Sequence, residues 1–186
     1  MKICFDFLIA ISALVVLFLP AIFIAFIIKL TSKGPVIFWS KRVGVNNGFF
    51  QMPKFRTMHI DTPALATHLL DSPENHFTPI GSFLRKFSLD EIPQLLSILK
   101  NEMSLVGPRP ALFNQDDLIA LRTQSQVHTL KPGITGWAQV NGRDDISISQ
   151  KVELDKEYLK RKSFFFDIYI LGLTLIRVLK SEGVSH

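Results

Sequence analysis

The residues best equipped for chemistry are two adjacent carboxylates, Asp90 and Glu91, in the stretch SLDEIPQLLSILKNEMSLVGPRP. Cations surround them in the sequence: Arg85 and Lys86 just before, Arg109 between Pro108 and Pro110 just after, and Lys54 and Arg56 upstream in KFRTM. Such a set suits phosphoryl transfer, which requires positive charge on the phosphate oxygens, an oxygen-liganded Mg²⁺ and a nucleophile in line with the leaving group. One carboxylate can attack phosphorus while its neighbour holds the metal. Consecutive helical side chains point about 100° apart, so both can approach one phosphate without competing for one position. A structural reading competes. Ser88 and Glu91 have the spacing of a capping box, and Asp116-Asp117 and Asp144-Asp145 are adjacent acids too, so adjacency alone assigns no chemistry.

Other residues point the same way, each with an ordinary alternative. The prolines on either side of Arg109 restrict its backbone, which helps aim a guanidinium for bidentate phosphate contact, or simply makes a rigid surface turn. The stretch KPGITGWAQVNGR, residues 131–143, predicts an ordered loop or short strands rather than helix. Its glycines let backbone approach a phosphate closely, and Arg143 adds charge. Trp137 could stack on a uracil ring, although an ordinary, partly buried tryptophan fits it better. His59, His68, His76, His128 and His186 lack the close pairings of a zinc site, and the lone Cys4 excludes a disulfide framework.

The elements that must position these groups begin with a membrane segment. A chain of 186 residues makes one domain, and 47% hydrophobic content exceeds what its core needs. From Phe7 to Ile28 only Ser12 is polar, and at about 1.5 Å per residue a helix there would be roughly 33 Å long, the thickness of a bilayer core. The run is too long for a signal peptide and leads into Lys29 and Lys33. Residues 1–30 are therefore expected to be membrane-inserted and residues 31–186 to form a membrane-docked domain. The lysines and Arg42 after the run place that domain in the cytoplasm. Pro20 should kink the helix, which leaves both a re-entrant hairpin and a proline-containing span open.

Beyond the membrane segment, Gly34-Pro35, Gly44 and Asn47-Gly48 predict turns and a β-hairpin before Met58. Residues 61–78 read as a surface excursion with a short helical turn. A helix is expected over 87–101, with Leu89, Ile92, Leu95, Leu96 and Leu99 on one face. A charged helix should span 147–162, and the last apolar piece, 164–179, carries Asp167 and Arg177 and starts with three phenylalanines, as an interfacial helix would. The fold class is thus α+β, mostly helical. A formal charge of +5 calls for an anionic partner. The dispersed basic residues and the lack of a recognised binding motif argue against nucleic acid.

Taken together, KFRTM, LRKFSLDEIPQLLSILKNEMSLVGPRP and KPGITGWAQVNGR stand in the order and spacing of the small monotopic phosphoglycosyl transferases, the bacterial sugar transferases. The chain resembles that family along nearly its whole length. The resemblance implies a re-entrant N-terminal helix broken at proline, interfacial amphipathic helices and a small cytosolic catalytic domain at the bacterial inner membrane. It implies a Mg²⁺-dependent ping-pong reaction. By that likeness Asp90 would attack the sugar-bearing phosphorus of a UDP-sugar, UMP would leave, and undecaprenyl phosphate would take the phosphosugar from the enzyme. Glu91 would ligate Mg²⁺, and Arg85, Arg109 and Arg143 would bind phosphates; Lys54 and Arg56 are added to the expected phosphate ligands from their charge in KFRTM alone. Leu19 before Pro20, Ser40 in place of a usual glutamine and Pro53 before KFRTM depart from the family pattern, all outside the acid pair.

Membrane lipids are expected partners, and self-association into a homo-oligomer stays open. Two other functions use the same features. A membrane-bound nucleotide-sugar hydrolase would release UMP without a lipid acceptor. A non-enzymatic basic membrane adaptor would be indifferent to Asp90→Asn and would bind according to total positive charge.

Overall fold

The computed structural model describes residues 2–63, 72–142 and 146–180. The chain enters through two helices, α1 (Lys2–Val16) and α2 (Phe18–Thr31), that meet at Leu17 with a 61° bend. Pro20 accounts for the break: it has no N–H to give to the carbonyl of Val16. The ladder resumes one residue later, where Ala21 N donates to Leu17 O at 2.8 Å. Among the described residues no single helix is long and apolar enough to cross a membrane, whereas the bent pair taken together passes that test. Its elbow is turned outward, with Val15, Val16, Phe18 and Leu19 all more than 60% exposed.

Both ends of the bent pair are fixed to the rest of the chain. At the start, Lys2 is paired with Asp167 and donates to Val106 O at 3.2 Å, and buried Asp6 accepts from Ser104 Oγ at 2.6 Å. Tyr158 donates to Asp167 at 2.7 Å from the other side. Burial, then the bond and charge of Asp167, raise the phenol above its ordinary value, so it remains a neutral donor. At the far end, Arg56 donates to Ser32 O and Oγ at 3.0 and 2.7 Å. A guanidinium is well placed at this C-terminal, electronegative end of α2.

Asp167→Ala would remove the carboxylate that the Tyr158 hydroxyl and Lys2 share and leave them only the longer contact of 3.2 Å that each makes with Val106 O. We expect a loss of about 2 kcal/mol, which is about 4–8 °C in unfolding temperature for a chain of this size. Thermal denaturation followed by circular dichroism measures it, and an unchanged midpoint would refute the anchoring role.

Strands β1 (Ile37–Val43) and β2 (Phe49–Phe55) form the expected antiparallel hairpin, with Ser40 opposite Met52. Pro53 fits because a two-stranded sheet has only edge strands. A short helix α3 (Gly81–Lys86), a 3₁₀ turn (Leu89–Gln94) and α4 (Leu95–Leu99) follow. The helix predicted over 87–101 is therefore shorter and made of two pieces, because Pro93 interrupts the hydrogen-bond ladder. Leu96, placed on its apolar face by the sequence, is 44% exposed.

Strand β3 (Ser104–Val106) pairs in parallel with β4 (Gly133–Thr135). Here the glycines of KPGITG allow close backbone packing. A Cβ on Gly133 would lie 2.1 Å from Gly107 N, and one on Gly136 2.1 Å from Gly107 O. Helix α5 (Asp116–Gln124), α6 (Ile148–Arg161) and α7 (Phe164–Lys180) complete the α+β fold. Ser147 and Gln150 form a capping box at the start of α6.

One core joins α1, α4, β3, α6 and α7 through Ala10, Ile98, Val106, Tyr158 and Ile170. A second joins α2, β2, α3 and the 3₁₀ turn through Ile28, Phe55, Leu84 and Ile92. The 3₁₀ turn and α4 bridge the two, since Ile92 belongs to one and Leu95 to the other. The acid pair thus sits where both halves of the N-terminal bent pair meet the domain.

Candidate active site

Asp90 and Glu91 lie in the first half of the 3₁₀ turn. The capping box read from Ser88 and Glu91 does not form. Ser88 is in the left-handed region, with φ of 54°, and makes no side-chain cap bond. Freed from capping, the Glu91 carboxylate turns to Lys54 and Arg109. Lys54 Nζ binds Glu91 Oε1 at 2.9 Å and Asp90 Oδ2 at 3.4 Å, and Arg109 Nη2 binds the same Glu91 Oε1 at 2.7 Å. Lys54 reaches the pair because β2 turns it away from Phe55, whose ring is in the second core.

Burial alone pushes the Glu91 carboxyl up, but Arg109 and Lys54 outweigh it by charge and hydrogen bonding. Together they hold the group well below the usual carboxylate range. Glu91 is consequently an anion at neutral pH. Both cations use Oε1, so Oε2 takes no part in either ion pair. Asp90 is 5% exposed, and its single bond to Lys54 is long. The arrangement is one anchored carboxylate beside a second, loosely held one, with cations at the rim.

The acid pair is suited to a hard divalent cation. No group of three or more His, Cys, Asp or Glu side chains is assembled among the described residues. Mg²⁺ commonly takes one or two protein carboxylates and completes its shell with water and substrate phosphate. A carboxylate oxygen outside the ion pairs, on Glu91, fits that demand.

The remaining expected phosphate ligands are placed as follows. Arg56 is buried, 4% exposed, and donates from its side chain to Ser32 rather than to the acid pair. Arg85 donates to Thr57 Oγ1 at 2.9 Å and lies over the Phe77 ring. Arg143 lies outside the described residues. Trp137 donates its N–H to Glu157 at 2.8 Å and packs against Phe166, with Arg161 over its ring. The partly buried reading of that residue is the one the structure bears out.

The sequence reading missed Arg42. Its Nε donates to Ser40 Oγ at 2.9 Å and its Nη1 to Pro110 O at 3.1 Å, beside the turn that carries Arg109. Burial, then the charge of Arg109, push the guanidinium down to about 10, and Glu91 partly offsets this. The signal was present: Ser40 and Arg42 are two apart in a strand and share a face. Arg122 and Asp155, paired at 2.7 Å across 33 positions, left no local signal.

The sequence profile of the family described as bacterial sugar transferase matches residues 1–181. The protein named uncharacterized sugar transferase EpsL from Bacillus subtilis (strain 168) is 43% identical, covering 97% of this chain and 85% of its own length. The undecaprenyl-phosphate glucose phosphotransferase of Komagataeibacter xylinus is 40% identical over 86% of this chain and 32% of its own. The UDP-glucose:undecaprenyl-phosphate glucose-1-phosphate transferase of Xanthomonas campestris pv. campestris is 39% identical over 94% of this chain and 38% of its own. The chain therefore spans only about a third of the length of these two relatives.

Proposed function

The chain belongs to the bacterial sugar transferase family, and from that premise we propose that it transfers a sugar phosphate from a UDP-sugar to undecaprenyl phosphate through a covalent intermediate on Asp90. The observation that carries this reading is the division of labour in the acid pair. Glu91 is fixed by Lys54 and Arg109, whereas Asp90 is buried beside it with one weak partner.

In the first half-reaction a carboxylate oxygen of Asp90 attacks the sugar-bearing phosphorus. A new P–O bond forms, the bond from that phosphorus to the bridging oxygen breaks, and UMP departs with the bridging oxygen. Arg109, exposed enough to be reached from solvent, and Lys54 neutralise the phosphate oxygens. Glu91, with Asp90 at hand, would hold Mg²⁺, which supplies charge stabilisation on the phosphates when bound. In the second half-reaction an oxygen of the lipid phosphate attacks the same phosphorus and the Asp90 carboxylate leaves. Ion pairs at the entrance are thereby exchanged for substrate phosphates, with no need to create new charge in the site.

The N-terminal pair is read as a re-entrant membrane element on the cytoplasmic face of the inner membrane. Two facts support this. Its elbow exposes a continuous apolar surface that a soluble protein rarely presents, and both its ends are tied to one domain, Lys2 and Asp6 at one and Ser32 at the other. A hairpin satisfies both constraints, whereas a straight span separates the ends by a bilayer. Single cysteines at Ile3 and Lys33, in a Cys4→Ser background, should both react with an impermeant maleimide only in inverted vesicles. Labelling of the Ile3 position from the outer face would refute the hairpin.

The catalytic proposal is tested by UMP release from a panel of UDP-sugars, with and without undecaprenyl phosphate and Mg²⁺. Sustained turnover should require both additions. Sustained release without lipid would instead identify a hydrolase.

A further inference from the structure

The backbone of the turn that carries Arg109 is held from behind at three consecutive carbonyls. Arg122 Nη1 donates to Arg109 O at 2.8 Å, Arg42 Nη1 to Pro110 O at 3.1 Å, and Val43 N to Ala111 O at 3.0 Å. Pro108 and Pro110 have no N–H of their own, so the turn cannot be secured by donating at those positions. A cavity of about 30 Å³, about enough for one water, lies against the turn and is lined by Arg109, Pro110 and Arg122 among others.

Arg122 is itself fixed. Its Nε and Nη2 both donate to Asp155 Oδ2, at 3.0 and 2.7 Å, and Asp155 is 1% exposed. A continuous chain thus runs from α6 through α5 to the turn, and from the turn through the Arg109 side chain to Glu91.

Building on the function proposed above, we propose that Asp155 and Arg122 are positioning residues for the transfer reaction, setting the aim of the Arg109 guanidinium at the acid pair. The pair is a poor choice for stability. Burial raises the Asp155 carboxyl above its ordinary value even though Arg122 opposes the shift, and buried ion pairs are often matched or bettered by apolar replacements. Its geometric consequence is the better reason for its presence: a misplacement of about 1 Å at such a site costs about 100-fold in rate.

The test replaces both charges at once, Arg122→Met with Asp155→Leu, and reads three quantities on the full chain in detergent. Unfolding temperature should stay level or rise. The ¹⁵N guanidinium resonance of Arg109, assigned by Arg109→Lys, should shift or average. The kcat/KM for the UDP-sugar should fall about 10- to 100-fold, and Asp155→Asn should have no further effect once Arg109→Ala is present. A variant that fails to fold would make the pair structural and overturn the proposal, as would an unmoved Arg109 resonance or unchanged turnover with a moved resonance. If the wild type itself turned over no UDP-sugar, the proposed function would fall while the resonance still decided whether the pair positions Arg109.

Discussion

Asp90→Asn should reduce UDP-sugar turnover by about 10⁴-fold or more, the loss expected when a covalent nucleophile is removed. The same substitution should shift the unfolding temperature by no more than a few degrees. The reason lies in the ion pairs: Lys54 is 3.4 Å from Asp90 but 2.9 Å from Glu91, so it keeps its better partner when Asp90 becomes neutral. Asparagine also preserves the shape of a side chain that is 5% exposed. Loss of activity with an intact fold therefore reads chemistry rather than collapse. Full activity in Asp90→Asn would remove the proposed nucleophile outright.

Glu91→Gln should behave differently, because Glu91 is the one acid that both cations share. Turnover should fall about 100-fold, through weakened Mg²⁺ binding and a displaced Arg109, and stability should fall as well. Breaking a fully buried pair costs about 3–5 kcal/mol, and because Arg109 is 32% exposed the figure here is nearer 2 kcal/mol.

The pH dependence follows from the direction of the shift. Burial acts to raise the Glu91 carboxyl, but Arg109 and Lys54 hold it well below its ordinary value. Its contribution to stability is then fully present above the unfolded value of about 4.3 and is lost as pH falls below that toward the folded one. Unfolding temperatures of wild type and Glu91→Gln, measured in chelator, should differ by a constant amount from pH 7 to about 5 and converge below about 4.3. A difference that persists unchanged in acid would contradict the ion-pair geometry.

Much of this was legible in the sequence where one residue type forces one outcome. Pro20 lacks a donor, and the helix breaks a turn before it. The hairpin, the charged helix over 148–161 and the apolar helix from Phe164 follow from local patterns of turn residues and periodicity. The acid pair and its two nearest cations, Lys54 and Arg109, were legible as well, because phosphate chemistry restricts the choice of residue types.

What was not legible depends on contacts distant in sequence. The spacing of Ser88 and Glu91 satisfied the rule for a capping box, yet Ser88 adopts a left-handed backbone and Lys54, from another element, takes the glutamate. A local motif lost to a tertiary ion pair. Arg56 sits in the same KFRTM motif as Lys54, but two residues along it has passed the acid pair and meets the end of α2. The glycines after Lys131 answer to Gly107 on a neighbouring strand, and Arg122 meets Asp155 from a different helix. None of these pairings has a periodicity that a single sequence displays.

The most direct test of the account is isotope exchange: labelled UMP incubated with unlabelled UDP-sugar, Mg²⁺ and the purified chain, with no lipid acceptor present. A covalent Asp90 intermediate releases UMP before the lipid phosphate is needed and can return the phosphosugar to it, so label should appear in UDP-sugar and should vanish in Asp90→Asn. Exchange that appears only when undecaprenyl phosphate is added, or that survives in Asp90→Asn, would contradict transfer through Asp90.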